Sequence, residues 1–291
     1  MIRVERLAII GVGLIGGSLA LALRESGVVG EIVGCGRSED SLRRAVELGV
    51  VDRYCTDAAE AVRDADVVVL GVPLGAVRGV LERIGGSLPE RCVVTDVGSV
   101  KGTVVADARA VFGEVPANFV PGHPIAGTEK SGVEAAFPEL FRGRRVILTP
   151  AEGGEPTALA TVRGLWQAAG AEVICMSVAH HDRMLSATSH LPHLLAYGLV
   201  DTLARWDTTE EVFQYAAGGF RDFTRIASSD PVMWRDICLA NRDALLDTLQ
   251  RYRDDLSRLT ALVREGDAAG LEAVFGNAKR TRDRYLDVFE K

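Results

Sequence analysis

His123, Glu129 and Lys130 stand in the stretch GHPIAGTEKSG, residues 122–132, among three glycines and a proline. Gly and Pro at that density exclude a regular helix or a central strand. An imidazole, with an ordinary pKa of about 6.5, is suited to moving a proton near neutral pH. A lone histidine in a loop more often bonds a backbone carbonyl, but Gly and Pro on both sides and a place at a strand end favour chemistry. A second group, His181, Ser186, Ser189, His190 and His193, lies in HHDRMLSATSHLPH, residues 180–193. His190 and His193 are three apart and Ser186 is four before His190, so the three share one face of a helix. The HxxH spacing invites a metal, but no Glu stands at a ligand-like distance, and no metal is expected.

The elements that position these groups begin at the N-terminus. Leu7 to Ile10 reads as a short buried strand, followed by Gly11-x-Gly13-x-x-Gly16 and the helical run LALALRESG. Gly11 allows the tight turn, Gly13 lets the backbone approach a pyrophosphate, and Gly16 lets helix and strand pack closely. The helix start, with Leu14 and Ile15, offers N–H groups to the anion. This strand–turn–helix context is what a dinucleotide site requires. The second strand, EIVGCGRS, ends in Gly36, Arg37 and Ser38, where an NAD-preferring site usually carries a carboxylate. A missing carboxylate removes repulsion against a 2′-phosphate, and Arg37 can pair with one. NADP is therefore favoured over NAD, with Arg37 as a plain solvated residue the alternative; Glu39 and Asp40 close by count against NADP.

Further Val/Ile runs follow in DADVVVLGVPL, RCVVTDVGSVK, NFVPGHP, RRVILTP and AEVICMS, alternating with helix-like stretches such as 74–85 and 157–169. That alternation predicts a parallel sheet covered on both faces. Val72, Pro73 and Ser99 fall at strand C-terminal ends, where such sheets bind ligands. After about residue 178 the strand-like clusters stop and long amphipathic patterns take over, with Pro192 predicting a kink. The expected architecture is an α/β, Rossmann-type parallel-sheet domain over residues 1–178, followed by an all-α domain over 179–291. Leu245, Leu249, Leu256, Leu259 and Leu262 either pair two copies of the helical domain or face its own core.

Bulk composition narrows the class. The 291 residues carry a net charge of -7 with 47% hydrophobic and 25% charged residues, which suits a globular protein and argues against a nucleic-acid partner. No apolar run approaches the length of a membrane span, and the N-terminus lacks the pattern of a signal peptide. Five scattered cysteines without a CxxC fit a reducing compartment, so a cytoplasmic location is expected.

Taken together, GVGLIGGS, DVGSVK, GHPIAGTEKSG, SHLPHLLA and GFRDFTRIASSDPVMWRDI resemble the prephenate/arogenate (cyclohexadienyl) dehydrogenase family, in order and over nearly the whole chain. The resemblance implies NAD(P)-dependent oxidative decarboxylation of prephenate to 4-hydroxyphenylpyruvate, or of L-arogenate to tyrosine, in tyrosine biosynthesis. It implies His123 as the catalytic base and Ser99 as a residue near the nicotinamide and the substrate hydroxyl, with capping of the next helix as a second role for Ser99. It implies Arg225 as the carboxylate-binding cation, Trp234 lining the cleft, and Glu129 and Asp222 in its gate. His181, His190, His193 and Ser189 fall around the pocket, His193 toward the substrate side chain. A homodimer through the helical domain is implied. No regulatory domain is expected beyond the helical one, and feedback by tyrosine, if any, is expected at the active site itself. Two other readings stay open: a dehydrogenase of the same layout acting on a different small hydroxy acid or imine, and a dinucleotide-sensing protein without catalysis. The first would use a lysine in the helical half, where only Lys279 and Lys291 stand.

Overall fold

The computed structural model describes residues 2–128 and 130–286. Contacts divide the chain into two compact units, Met1–Asn241 and Arg242–Lys291.

The first unit opens with β1 (Val4–Ile10), α1 (Leu14–Ser26), β2 (Val29–Cys35), α2 (Glu39–Glu47), β3 (Arg53–Cys55) and α3 (Ala58–Val62). It continues with β4 (Val67–Leu70), α4 (Val77–Ile84), β5 (Val93–Asp96), α5 (Lys101–Phe112) and β6 (Phe119–Val120). The six strands pair in parallel in the order β3-β2-β1-β4-β5-β6. Leu7 and Ile9 enter one apolar cluster and Ala8 and Ile10 the other. Both faces of β1 are therefore buried, which is why its apolar run is continuous rather than alternating. The connection order reverses between β1 and β4, the place where this topology opens a ligand crevice beyond the strand C-termini.

The expected single parallel sheet stops at Pro121. Proline has no N–H to donate to a ladder, and the run NFVPGHP divides there into β6 and β7 (Gly122–Pro124). β7 is the edge of a second sheet of order β7-β8-β9, antiparallel to β8 (Arg145–Leu148), which runs parallel to β9 (Glu172–Cys175). α6 (Pro156–Ala168) supplies the crossover, and its buried Trp166 meets Phe141 edge-on at 5.1 Å. His123 thus sits on a short edge strand opposite Ile147, ahead of the irregular loop.

Among the described residues every element after Cys175 is helical. α7 (Val178–Leu185) runs into a π turn at Ser186–His190, then α8 (Leu191–Ala204), α9 (Thr209–Gln214), α10 (Gly218–Thr224), a 3₁₀ turn at Arg225–Ser228 and α11 (Pro231–Ala240). The irregularity anticipated at Pro192 takes the form of this π turn just upstream. A wider turn relieves the clash of the proline ring with the carbonyl four residues back.

The second unit pairs α12 (Arg242–Glu265) with α13 (Ala268–Arg284). Gly266 turns the chain at φ +68°, and Asp267 caps α13 through the Gly270 N–H at 2.9 Å. Leu245 is buried and Leu249, Leu259 and Leu262 are half-buried, whereas Leu246, Leu256, Val263 and Phe275 are exposed. No helix among the described residues is long and apolar enough to cross a membrane.

Candidate active site

The glycine turn has the shape of a phosphate cradle. Gly11 has φ +98°, and a Cβ on it would lie 2.4 Å from the Gly71 carbonyl oxygen at the end of β4. A Cβ on Gly16 would lie 2.5 Å from the Gly11 oxygen, so α1 packs against the turn as closely as backbone allows. Gly13, the N-cap of α1, faces open space, and no side chain caps the helix. Bare N–H groups at the start of a 13-residue helix are the groups a pyrophosphate requires. The fit to a dinucleotide is therefore carried by backbone this chain cannot substitute. Leu14 is buried under the turn, while Ile15 and Val72 are half-buried and Pro73 exposed at the rim. Beyond β2, Arg37 is exposed. Ser38 caps α2, its Oγ accepting the Ser41 N–H at 3.3 Å. Glu39 accepts from the Tyr54 hydroxyl at 3.0 Å and lies 3.8 Å from Arg43.

Further along the same rim, β5 ends in a buried ion pair. Asp96 and Lys101 are both fully buried and bonded to each other. Lys101 Nζ also donates to the Gly122 carbonyl at 2.6 Å, and Asp96 accepts the N–H groups of Gly98 at 2.7 Å and Gly122 at 3.1 Å. The pair therefore clamps both polar groups of the residue that precedes His123. Burial pulls the Lys101 ammonium below the usual lysine range, and the adjoining Asp96 carboxylate acts against that pull.

His123 is the first of three linked side chains. Its Nδ1 lies 2.9 Å from His181 Nε2, and His181 Nδ1 lies 2.7 Å from Asp182 Oδ1. The protonation pattern follows from the far end. A carboxylate only accepts, so His181 Nδ1 carries a proton; in the neutral ring its Nε2 then holds a lone pair, and His123 Nδ1 donates to it. The His123 Nε2 lone pair is left without a hydrogen-bond partner among the described residues. Burial drives the His123 imidazole well below its ordinary pKa, helped by the Lys101 charge and then by His181 and His190. His123 is thus neutral at physiological pH, with a base atom available.

Asp182 is itself fixed by the N-terminus of α5, accepting the N–H groups of Lys101 at 2.9 Å and Gly102 at 2.8 Å. Burial pushes its carboxyl up, but the His181 bond and those two amides outweigh burial and hold it below the usual range. Ser99 does not cap α5: the N-cap is Val100, with no side-chain cap, and Asp182 takes over that role from another helix.

The remaining rings gather around Trp234. His193 stacks on its indole at 3.5 Å, and His190 meets it edge-on at 6.2 Å. His193 donates from Nδ1 to the Ser189 carbonyl at 2.9 Å, whereas Asn241 donates to His190 Nδ1 at 3.0 Å. The His190 Nε2 and Trp234 Nε1 donors are consequently buried without partners, two N–H groups suited to an acceptor on a small molecule. Burial lowers the His190 imidazole to about 4. Burial also lowers His193, against the Ser189 carbonyl bond, and the positive charge of the exposed Arg225 adds to the lowering. The Tyr197 hydroxyl ties α8 to the Ser229 carbonyl at 2.6 Å, and Asp230 caps α11, so the turn bearing Arg225 and the helix bearing Trp234 are held together.

Sequence comparison agrees with this geometry. Residues 19–175 match the family "Prephenate dehydrogenase, nucleotide-binding domain" and residues 177–277 match "Prephenate dehydrogenase, dimerization domain". The cyclohexadienyl dehydrogenase of Zymomonas mobilis is 36% identical over 96% of this chain and 95% of its own. The chain belongs to the prephenate dehydrogenase family. Among solved members, the A. aeolicus prephenate dehydrogenase in complex with hydroxyphenyl propionate and NAD+ superposes with a TM-score of 0.88 at 39% identity, covering 98% of each chain. The Synechocystis arogenate dehydrogenase gives 0.82 at 30% identity, covering 97% of this chain and 100% of that one.

In this family member the fold brings His123, His181, His190, His193 and Trp234 into one connected group, with Ser99 half-buried on the turn before α5. Asp222 is exposed and lies 3.9 Å from Arg221, with no hydrogen bond to that group among the described residues. Glu129 lies outside the described residues. Asp182, Asp96, Lys101 and Asn241 were not anticipated. Asp182 directly follows His181, and Lys101 closes the DVGSVK motif, so both had a local signal; Asn241 had none, meeting His190 across 51 residues.

Proposed function

We propose that this chain carries out the NAD(P)+-dependent oxidative decarboxylation of prephenate to 4-hydroxyphenylpyruvate, and/or of L-arogenate to tyrosine. The observation that carries the assignment is the His123–His181–Asp182 chain of contacts, which leaves a buried imidazole with Nε2 unengaged on the strand that Asp96 and Lys101 tie to the rim bearing the dinucleotide cradle.

His123 Nε2 takes the proton of the ring hydroxyl as its carbon becomes a carbonyl. Gly11, Gly13, Gly16 and the start of α1 would hold a nicotinamide dinucleotide, which would supply the acceptor for the hydride of that carbon. Arg225 pairs with a substrate carboxylate, and its planar guanidinium suits a two-bond grip. The His190 and Trp234 N–H donors serve an acceptor at the far end of the substrate, with His193 and Ser189 shaping the side-chain end. Ser99 is assigned to the hydroxyl and nicotinamide, Glu129 and Asp222 to the gate. Loss of carbon dioxide needs no acid from the protein, because aromatisation drives it.

Several assignments accompany this reading. NADP+ is favoured, since Gly36 offers no carboxylate, Arg37 is exposed beside it, and Glu39 is engaged by Tyr54 and Arg43. Gly11, Gly13, Leu14, Ile15, Gly16, Ser38, Val72 and Pro73 line the cofactor side. Residues 1–178 are assigned to cofactor binding and 179–291 to substrate binding and pairing of two copies in the cytoplasm; exposed Leu246, Leu256, Val263 and Phe275 support that pairing. The test is reduction of each nucleotide, followed by absorbance, with prephenate and with L-arogenate. Turnover of prephenate is expected; no reduction in any of the four combinations would refute the assignment.

A further inference from the structure

The proton that His123 removes has nowhere obvious to go. Burial and the Lys101 cation both oppose a charged His123. The stoichiometry defines the need more closely. Removing hydride and carbon dioxide from the prephenate dianion leaves the 4-hydroxyphenylpyruvate monoanion with its phenol protonated. The proton taken from the hydroxyl therefore returns to the same oxygen, and the site needs a temporary store rather than an exit to solvent.

We propose that His181 and Asp182 are that store. This rests on His123 being the base. As the substrate hydroxyl proton reaches His123 Nε2, the Nδ1 proton of His123 crosses the 2.9 Å bond to His181 Nε2. His181 becomes the imidazolium, and His123 stays neutral with its tautomer exchanged. The new cation lies 2.7 Å from the Asp182 carboxylate, which keeps its charge. When the ring becomes aromatic and its oxygen basic, both protons step back. No net charge is added to His123, so the Lys101–Asp96 clamp can hold Gly122 tightly without penalising the reaction at each turnover.

The surroundings favour this division of labour. His181 is fully buried, and Asp182 is the anion bonded to it. The other charged or titratable groups that act on the pair are Lys101 from α5, with its partner Asp96 from β5, and His190 from the π turn. Lys101 already has its counter-charge. Asp182 lies within one bond of His181 and two bonds of His123, and its two remaining bonds are to backbone amides of α5, so it cannot turn away. Asp182 and His181 are thus positioning residues, acting on substrate only through His123.

Asp182→Asn is the direct test, read as kcat/KM and kcat against pH. Removing the anion weakens the imidazolium, so the acid limb should move to lower pH while the plateau kcat falls by about 10²–10⁴-fold. A purely structural Asp182 would lower the plateau and leave the limb in place, and an unmoved limb overturns the proposal whatever the plateau does. If that variant does not fold, nitrogen-15 NMR of the imidazoles in the native protein with nucleotide bound decides the matter. The store requires the resting proton of His123 on Nδ1 and that of His181 on Nδ1; a His123 proton on Nε2 overturns it. Failure here is distinguishable from failure of the base assignment: a fully active His123→Asn removes both, whereas an inactive His123→Asn with an unmoved Asp182→Asn limb removes only the store.

Discussion

Replacing Lys101 by methionine tests the clamp that holds the catalytic strand. Methionine keeps most of the length and apolar bulk of the side chain but removes the charge. Asp96 would then be a fully buried carboxylate with two backbone N–H donors, Gly98 and Gly122, and no cation. Breaking a buried pair in this way costs about 3–5 kcal/mol, and the two surviving amides place the cost toward the lower end. The Gly122 carbonyl loses its donor as well. Urea unfolding followed by tryptophan fluorescence suits the measurement, because Trp166, Trp206 and Trp234 all lie in the first unit. Adding Asp96→Asn should recover much of the loss, since the double variant buries no net charge; residues in one network are not additive. A second consequence has a fixed sign. Lys101 depresses the His123 imidazole, so its removal should move the acid limb of kcat/KM to higher pH, opposite to the shift expected for Asp182→Asn. A Lys101→Met protein within about 1 kcal/mol of the parent, or strict additivity in the double variant, would refute the reasoning.

Two further outcomes are expected. Arg225→Ala should raise KM for prephenate by roughly 10- to 150-fold, the equivalent of about 1.5–3 kcal/mol for one charged hydrogen bond, with nucleotide affinity unchanged; an unchanged KM places the carboxylate elsewhere. His190 is held at about 4 by burial, against an unfolded value near 6.5, so between these limits the unfolded chain binds a proton that the folded one refuses. Its contribution is complete above about pH 6.5 and is lost as the pH falls toward about 4, by about 3 kcal/mol in all. His190→Gln should therefore lose less stability than the parent between about pH 7 and pH 5 in urea titrations; an equal or larger loss contradicts that burial effect.

What could be read from sequence was whatever is local. The Gly11–Gly16 turn follows its strand and opens its helix within one short segment, so spacing alone identified the cradle. His123 stood out because Gly and Pro surround it. The Val/Ile runs announced strands, but not that Pro121 would divide the sixth from the seventh and begin a separate sheet. Ser99 looked like a helix cap because it precedes α5 closely; the actual partner of those amides, Asp182, comes from some 80 residues away. The helical spacing of Ser186 and His190 gave way to a π turn beside Pro192. The charge clamp went unread because Lys101 gains its meaning from Gly122, a contact that only the folded chain creates.

The proposed chemistry depends most on His123 Nε2 as the atom that accepts the substrate proton. Its most direct test is His123→Asn, with kcat for prephenate and the nucleotide dissociation constant measured on the same preparation. The expected result is an unaltered nucleotide affinity with kcat reduced by about 10²–10⁴-fold. A variant that turns over at the parental rate would contradict it.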